Sequence, residues 1–296
     1  MSQSALLVTG ASGKLGRSVL EHLLGREAGP LIATTRDPGR LADLAARGVD
    51  VRRADFDDEG SMARAFAGAG RALLVSTDEL MEPGKRIAQH QRAVKALASA
   101  GASHVVYTSF PRPEGSAALV APDHAATERC LSDSPLGFSV LRNNMYSDLL
   151  LFSLPAAIAA GQLVDAKAQG RVAYVTREDC ARVAAAALAD RRFDGRRVLD
   201  VTGPEALSGD DLARLASELG GRPIERRGVS VDQLVNGMVQ HGLPEPLAQT
   251  YASFDLCVSR GGLADVSDTV LDLTGQKPTS LRDFLAANRA ALTPTR

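Results

Sequence analysis

The chain has 296 residues, of which 45% are hydrophobic and 23% charged, an ordinary composition for a globular protein of one large domain or one domain plus a smaller lobe. Lys and Arg (34) nearly balance Asp and Glu (35), leaving a net charge of -1, so no global field draws nucleic acid or an anionic membrane. No apolar stretch reaches the roughly 18 residues of a membrane span. Cys130, Cys180 and Cys257 form no CxxC and the histidines no HExxH, so the expectation is a cytoplasmic, metal-free protein without a disulfide framework.

The first element is the apolar strand Ala5-Leu6-Leu7-Val8, which runs into Gly10-Ala11-Ser12-Gly13-Lys14-Leu15-Gly16 and a helix with Leu15, Val19 and Leu23 along one face. That glycine spacing is what a dinucleotide needs. Gly10 permits the tight turn, Gly13 lets the backbone approach a pyrophosphate, and Gly16 lets helix and strand pack closely. The first helical N–H groups and the positive end of the helix dipole then face the phosphates.

Leu31–Thr35 reads as a second strand, ended by the turn cluster Arg36-Asp37-Pro38-Gly39, and a helix over Arg40–Arg47 stops at Gly48. Val49–Arg53 is the third strand, with Asp57 or Asp58 capping a helix over Ser61–Ala67. Ala72–Ser76 is the fourth. A long helix over Lys85–Ala100 follows, with Ile87, Val94 and Leu97 inward, and His104–Thr108 and Phe138–Leu141 are strands five and six. Continuous apolar strands separated by helices predict a parallel sheet covered on both faces, a Rossmann-type doubly wound α/β fold.

Beyond Leu141 the rhythm loosens. A helix over Leu149–Ala160 precedes a strand over Arg171–Val175, and Thr176-Arg177-Glu178-Asp179 resembles a capping box for a helix through Leu188. After a strand over Arg197–Val201, four helices are expected at Ser208–Leu219, Ser230–His241, Pro244–Cys257 and Ser280–Leu292. This pattern assigns residues 1–147, rejoined by 171–203, to the dinucleotide-binding domain. Residues 148–170 and 204–296 form a smaller, mostly helical C-terminal lobe for substrate.

The residue at the end of the second strand sorts NAD from NADP. An acidic side chain there would hold a ribose 2′-hydroxyl, whereas Arg36 can pair with a 2′-phosphate, so NADPH is favoured. A shift of one residue would put Asp37 in that position instead. Asp55 and Phe56, past the third strand, bracket an adenine or only begin a turn. Ser76 and Thr77 end the fourth strand, where ligands of open sheets lie.

The tyrosine-to-lysine spacing of four used by most short-chain dehydrogenases is absent: four residues beyond the tyrosines stand Pro111, Leu150, Glu178 and Asp255. Ser109 is the only member of that constellation with a counterpart. Reducing a simple ketone builds an alkoxide whose conjugate acid is near that of water, roughly 15.7. Reducing a quinone gives an anion nearer a phenol, roughly 10. Conjugated acceptors such as quinones therefore suit a site without the dyad, the protein contributing binding and alignment. His124 and Tyr146 are the candidate proton donors or orienters. Asn143 can bond the ribose or carboxamide, or merely shape a turn, and His90 reads as structural.

These residues, with Ala54-Asp55-Phe56, Tyr107-Thr108-Ser109, Asp123-His124, Leu141-Arg142-Asn143-Asn144-Met145-Tyr146-Ser147 and Ser259-Arg260-Gly261-Gly262-Leu263, resemble the NmrA-like atypical short-chain dehydrogenases. Within that group they are similar to the bacterial type 2 NADPH:quinone oxidoreductases and the triphenylmethane reductases. The resemblance implies a Rossmann domain binding NADPH, substrate between it and the smaller lobe, and hydride transfer without flavin or metal. It carries cofactor contacts over to Gly10 through Leu15, Arg36, Ser76, Thr77, the stretch Asn143, Asn144, Met145 and Tyr146, and Arg177. The chain departs from the family at Phe110-Pro111-Arg112-Pro113, at Asp78, and at Asn144-Met145, where a glycine and a tryptophan are more usual; these positions border the substrate. The expected partner is a small quinone-like acceptor, for a monomer or a homodimer. The rival reading from the same group is an NADP(H)-sensing regulator without turnover.

Overall fold

The apolar run Ala5–Val8 forms β1, and the glycine turn after it leads into α1 (Lys14–Gly25), whose buried face carries Leu15, Val19, Leu20 and Leu23. The computed structural model describes residues 4–292; the first three and last four, counted into the two lobes above, lie outside the described residues. There follow β2 (Leu31–Thr35), a 3-10 turn at Pro38–Leu41, α2 (Ala42–Ala45), β3 (Asp50–Arg53), α3 (Glu59–Phe66) and β4 (Ala69–Leu74). Then come α4 (Lys85–Ser99), β5 (His104–Ser109), α5 (Ala121–Asp133) and β6 (Gly137–Asn143). A 3-10 turn at Ser147–Leu149 leads into α6 (Leu150–Ala160), β7 (Gln162–Asp165), β8 (Arg171–Val172), α7 (Arg177–Ala189) and β9 (Arg196–Val201). The remainder is β10 (Leu207–Ser208), α8 (Gly209–Gly220), β11 (Glu225–Gly228), α9 (Val231–Gln240), α10 (Glu245–Ser259), α11 (Thr269–Thr274), α12 (Leu281–Ala287) and α13 (Arg289–Leu292).

Seven strands form the main sheet in the order β3-β2-β1-β4-β5-β6-β9, and every pair from β3 to β6 runs parallel. The order reverses between β1 and β4, which makes the carboxyl ends of those two strands the switch point of a doubly wound fold. Leu7, Phe66, Leu74, Leu97, Val105, Tyr107 and Leu131 belong to one buried cluster. Burying each such side chain contributes about 1.5–3 kcal/mol.

The chain divides into two units. One holds the residues up to Phe110, Asp123–Arg142 and Cys180–Leu199; the other holds Pro111–Pro122, Asn143–Asp179 and the residues from Asp200 on. In the second unit, Ser208 and Ser230 close capping boxes with Asp211 and Gln233 at the starts of α8 and α9. Two small sheets accompany those helices, a parallel pair of β7 with β11 and an antiparallel pair of β8 with β10.

Several local expectations need correcting. The helix expected over Arg40–Arg47 is a 3-10 turn over Pro38–Leu41, capped by Asp37 and begun by Pro38, followed by four α-helical residues. The fourth strand starts earlier and ends at Leu74, so Ser76 lies beyond it. The strand expected over Arg171–Val175 is ordered as a strand only at Arg171–Val172 and pairs with β10, outside the main sheet. In α4 the inward residue at the start is Arg86, with Gln89 and His90, while Ile87 is only half-buried. The C-terminal helix expected over Ser280–Leu292 breaks at Asn288 into α12 and α13.

Candidate functional site

Each glycine of the β1 loop has a steric reason. Gly10 takes φ +60°, and a Cβ on Gly16 would lie 2.5 Å from the Gly10 carbonyl oxygen, so only glycine lets α1 start this close to the turn. A Cβ on Gly13 would meet the same oxygen at 3.2 Å. The loop is tied to β2: Ala11 N–H donates to Thr34 O (3.0 Å), and Thr35 Oγ1 donates to Ser12 Oγ (2.9 Å). Ala11 and Leu15 are buried, whereas Gly13 and Lys14 face solvent. Gly13 is the N-cap of α1; no side chain caps that end, and no carboxylate stands in its first turn. The turn is thus a bare positive cradle of the kind a pyrophosphate fills.

At the end of β2, Asp37 turns back on its own chain. Its carboxylate accepts from Gly39 N–H at 3.1 Å and caps the 3-10 turn. Arg36 beside it is exposed, and no described side chain pairs with it. Between the two residues that sequence reading weighed, Asp37 is occupied and Arg36 is available to a phosphate. Asp55 is also engaged locally: its carboxylate accepts from Asp57 N–H (3.1 Å) and its N–H donates to Ser61 Oγ (2.9 Å). Phe56 packs its ring on the edge of the core cluster, while its carbonyl accepts from Arg92. Both residues are half-buried, and their own bonds are those of a turn.

Beyond Leu74 the β4 ladder stops and side chains take over. Val75 N–H donates to Thr9 Oγ1 (2.9 Å), Ser76 N–H to Thr108 Oγ1 (2.9 Å) and Thr77 N–H to His90 Nε2 (3.0 Å). The Thr77 carbonyl accepts from Arg86 Nε at 2.9 Å. Arg86 Nη2 lies 3.0 Å from His124 Nε2, and His124 Nδ1 lies 2.8 Å from the Tyr107 hydroxyl. Tyr107, His90 and His124 are all buried, and Phe110 stacks on His124 with 6.2 Å between ring centroids. Burial, reinforced by Arg86, pushes His90 down to about 3 and holds His124 well below the usual imidazole range. Burial raises the Tyr107 hydroxyl far above an ordinary phenol. Both nitrogens of His124 are engaged within the protein, by Arg86 and Tyr107. Nearby, Ser109 Oγ donates to Glu128 (2.6 Å), which also holds Arg142 through two bonds at 2.6 and 3.0 Å.

The remaining candidates belong to the second unit. Asn143, the last residue of β6, is buried; its amide donates to the Tyr146 hydroxyl at 3.0 Å, and its Oδ1 has no hydrogen-bond partner. Arg177 sits over the Tyr146 ring at 5.0 Å and bonds Asp148 through side chain and backbone, each at 2.9 Å. Asn144 accepts from Met145 N–H (2.8 Å) and donates to Leu263 O (3.2 Å), so it shapes the chain here, and the half-buried Met145 gives its carbonyl to Val175 N–H (3.0 Å). Lys167 does meet a tyrosine in this unit, donating to Tyr174 Oη at 3.2 Å. Burial opposes its charge, but Tyr174, Asp255 and Asp165 more than offset that and fix the ammonium as an interior cation. It does not supply the missing dyad. A cavity of about 610 Å³ in the same unit is lined by Leu119, Val235 and Leu256 among others, with Asp232 and Glu245 also on its wall.

Sequence reading did not single out Arg86; it took His90 as structural, and the ring is buried with both nitrogens bonded. The available signal was the helical spacing of Arg86, Gln89, His90 and Ala93, which places polar groups on the buried face of α4. Among the described residues no cluster of His, Cys, Asp and Glu is arranged to hold a metal ion, and no helix is long and apolar enough to cross a membrane.

The profile of the NAD(P)H-binding family matches residues 10–191. Quinone oxidoreductase 2 of Escherichia coli (strain K12) is 33% identical over 282 residues, covering 95% of this chain and 97% of that protein. The crystal structure of the Escherichia coli NADPH-dependent quinone oxidoreductase complexed with NADPH superposes with a TM-score of 0.90 at 33% identity, covering 97% of this chain and 99% of that one. The Citrobacter sp. triphenylmethane reductase complexed with NADP(H) does so with a TM-score of 0.89 at 31% identity, over 96% and 99%.

Proposed function

Because the chain belongs to the NAD(P)H-binding family, we propose that it is an NADPH-dependent oxidoreductase that reduces a quinone or a similarly conjugated small molecule. One observation carries the reading: full-length likeness, at 33% identity and a TM-score of 0.90, to a quinone oxidoreductase whose structure holds NADPH. The residues present fit that cofactor. The glycine loop lets α1 begin hard against the turn, where a Cβ at Gly16 would strike the Gly10 carbonyl oxygen, so the uncapped N-terminus of α1 lies at the loop. Arg36, with no partner among the described residues, stands at the end of β2 for a 2′-phosphate.

Bound NADPH supplies the hydride. The chain's own residues supply position. Gly10 through Leu15 and the uncapped start of α1 take the pyrophosphate, Arg36 reads the 2′-phosphate, and Ser76 and Thr77 line the switch point at the carboxyl ends of β1 and β4, where the strand order reverses. Asn143, with one buried oxygen left unpaired, offers an acceptor for an N–H of the carboxamide or a hydroxyl of the ribose. Tyr146, oriented by Asn143 and Arg177, presents an aromatic wall beside a phenolic O–H. His124 orients Tyr107 and does not exchange protons with solvent. A ring that delocalises the incoming charge needs no strong acid from the protein, which agrees with the absence of the Tyr–Lys spacing.

Purified protein is expected to oxidise NADPH in the presence of benzoquinones and naphthoquinones, with NADH a poor substitute. Failure with a whole panel of such acceptors would overturn the reading, and NADP(H) binding without any turnover would favour a regulator.

A further inference from the structure

We propose that His90 and Arg86 are positioning residues that clamp the backbone of Thr77 at its N–H and its carbonyl, so that the segment 75–77 forms a fixed rail for the cofactor. The inference rests on the reading above, in which Ser76 and Thr77 face NADPH. Three consecutive amides, of Val75, Ser76 and Thr77, donate to side chains from three elements: Thr9 after β1, Thr108 in β5 and His90 in α4. No neighbouring strand holds these amides. Arg86, one helical turn before His90, takes the Thr77 carbonyl at 2.9 Å. The segment also lies against the glycine loop, since a Cβ on Gly10 would be 3.4 Å from Val75 Cβ. Displacing the rail would therefore disturb both banks of the switch point.

The hydrogen bonds fix the proton on each ring. Arginine only donates, so His124 Nε2 accepts from Arg86 and its Nδ1–H donates to Tyr107 Oη. Thr77 N–H likewise donates to His90 Nε2, so the His90 proton is on Nδ1 and goes to Thr127 Oγ1 at 2.9 Å, which in turn donates to Asp123 O at 2.8 Å. Both imidazoles are neutral in the same tautomer, consistent with the downward pull of burial and Arg86 on each. A neutral His90 is required, because a protonated ring has no lone pair for Thr77 N–H.

The arrangement asks more than packing would. Arg86 is buried, and its Nη1 makes no hydrogen bond among the described residues, only a long ion pair with Asp123 at 3.7 Å. An apolar side chain would fill the same volume without that cost. Retaining the guanidinium makes sense if its other two contacts, to Thr77 and His124, set geometry that the reaction uses.

The test compares His90→Leu with His90→Gln, whose amide oxygen can accept from Thr77 N–H, and Arg86→Met with Arg86→Lys. His90→Leu and Arg86→Met should each raise the Kd and KM for NADPH and lower kcat about tenfold, leaving the KM for a quinone such as menadione unchanged. His90→Gln and Arg86→Lys should recover part of that loss. Hydrogen exchange on the NADPH-free wild type gives a readout that needs no variant to fold. Amides 75–77 should be protected relative to the following loop, 78–83, and slowed further by NADPH. Unchanged NADPH constants in variants that merely melt earlier, or exchange at 75–77 as fast as at 78–83, would overturn the clamp alone. A wild type that binds no NADPH would overturn the cofactor reading and the clamp with it.

Discussion

In the function proposed above, dinucleotide selection comes down to neighbours one residue apart. Asp37 spends its carboxylate on Gly39 N–H, leaving Arg36 as the charged group at the end of β2 with no described partner. A guanidinium matches a phosphate with two parallel hydrogen bonds, and a ribose 2′-hydroxyl gives it little to hold. Arg36→Ala should therefore raise the KM for NADPH by about tenfold or more while changing that for NADH little, as measured by initial rates with a common acceptor. Equal losses for both dinucleotides would mean that another group reads the phosphate. Position 36 was legible in the sequence because a turn cluster marks the strand end. Arg36 was favoured there over Asp37, but the bond that occupies Asp37 was not legible, since it depends on which side chain bends back on the backbone.

Elements were legible where local chemistry settles them. Asp58 caps α3 by accepting from Ser61 N–H at 2.9 Å, one of the two aspartates expected for that role. Asp58→Ala should cost about 1 kcal/mol, seen as a lower urea midpoint with unchanged slope. An unchanged midpoint would mean that Asp57 or water replaces it. The glycine loop, α1 and the apolar strands β1, β2, β4, β5 and β6 were equally plain, since each rests on an apolar run or a glycine that few other contexts need. Other elements were hidden for physical reasons. β7 and β11, Gln162–Asp165 and Glu225–Gly228, carry no apolar alternation because their pairing is anchored by charge: Arg226 grips the buried Asp165 through bonds of 2.9 and 2.8 Å. α4 misled at its first turn, because there it meets the Thr77 carbonyl beyond β4 and His124 of α5, and Arg86 takes the inward place assigned to Ile87. The clamp on Thr77 was illegible for the same reason: it joins residues that are neighbours only once four elements have folded.

At the scale of the whole molecule, the buried ionisable groups predict how stability responds to acid. His104, in β5, is pushed down to about 4 by burial and by Arg71, and His90 to about 3 by burial and by Arg86, both from an ordinary value of 6.5. Above pH 6.5 these rings are neutral whether the chain is folded or not, and their contribution is fully present. As pH falls below 6.5, the unfolded chain takes up protons that the folded chain refuses, so stability declines until the pH passes the folded values near 4 and 3. Asp255 works in the opposite direction. Burial raises its carboxyl against the pull of Lys167, so between 3.8 and that raised value the folded chain holds the extra proton and gains. Its gain is that of one carboxyl, set against the loss from two imidazoles. Net stability, followed by urea unfolding, should therefore fall from pH 6.5 towards pH 4, with each histidine adding up to about 1.4 kcal/mol per pH unit. His104→Gln removes one of these groups and should make the decline shallower over the same interval. A curve that is flat from pH 6.5 to pH 4, or one that His104→Gln leaves equally steep, would mean that these imidazoles take up protons in the folded chain as readily as in the unfolded one.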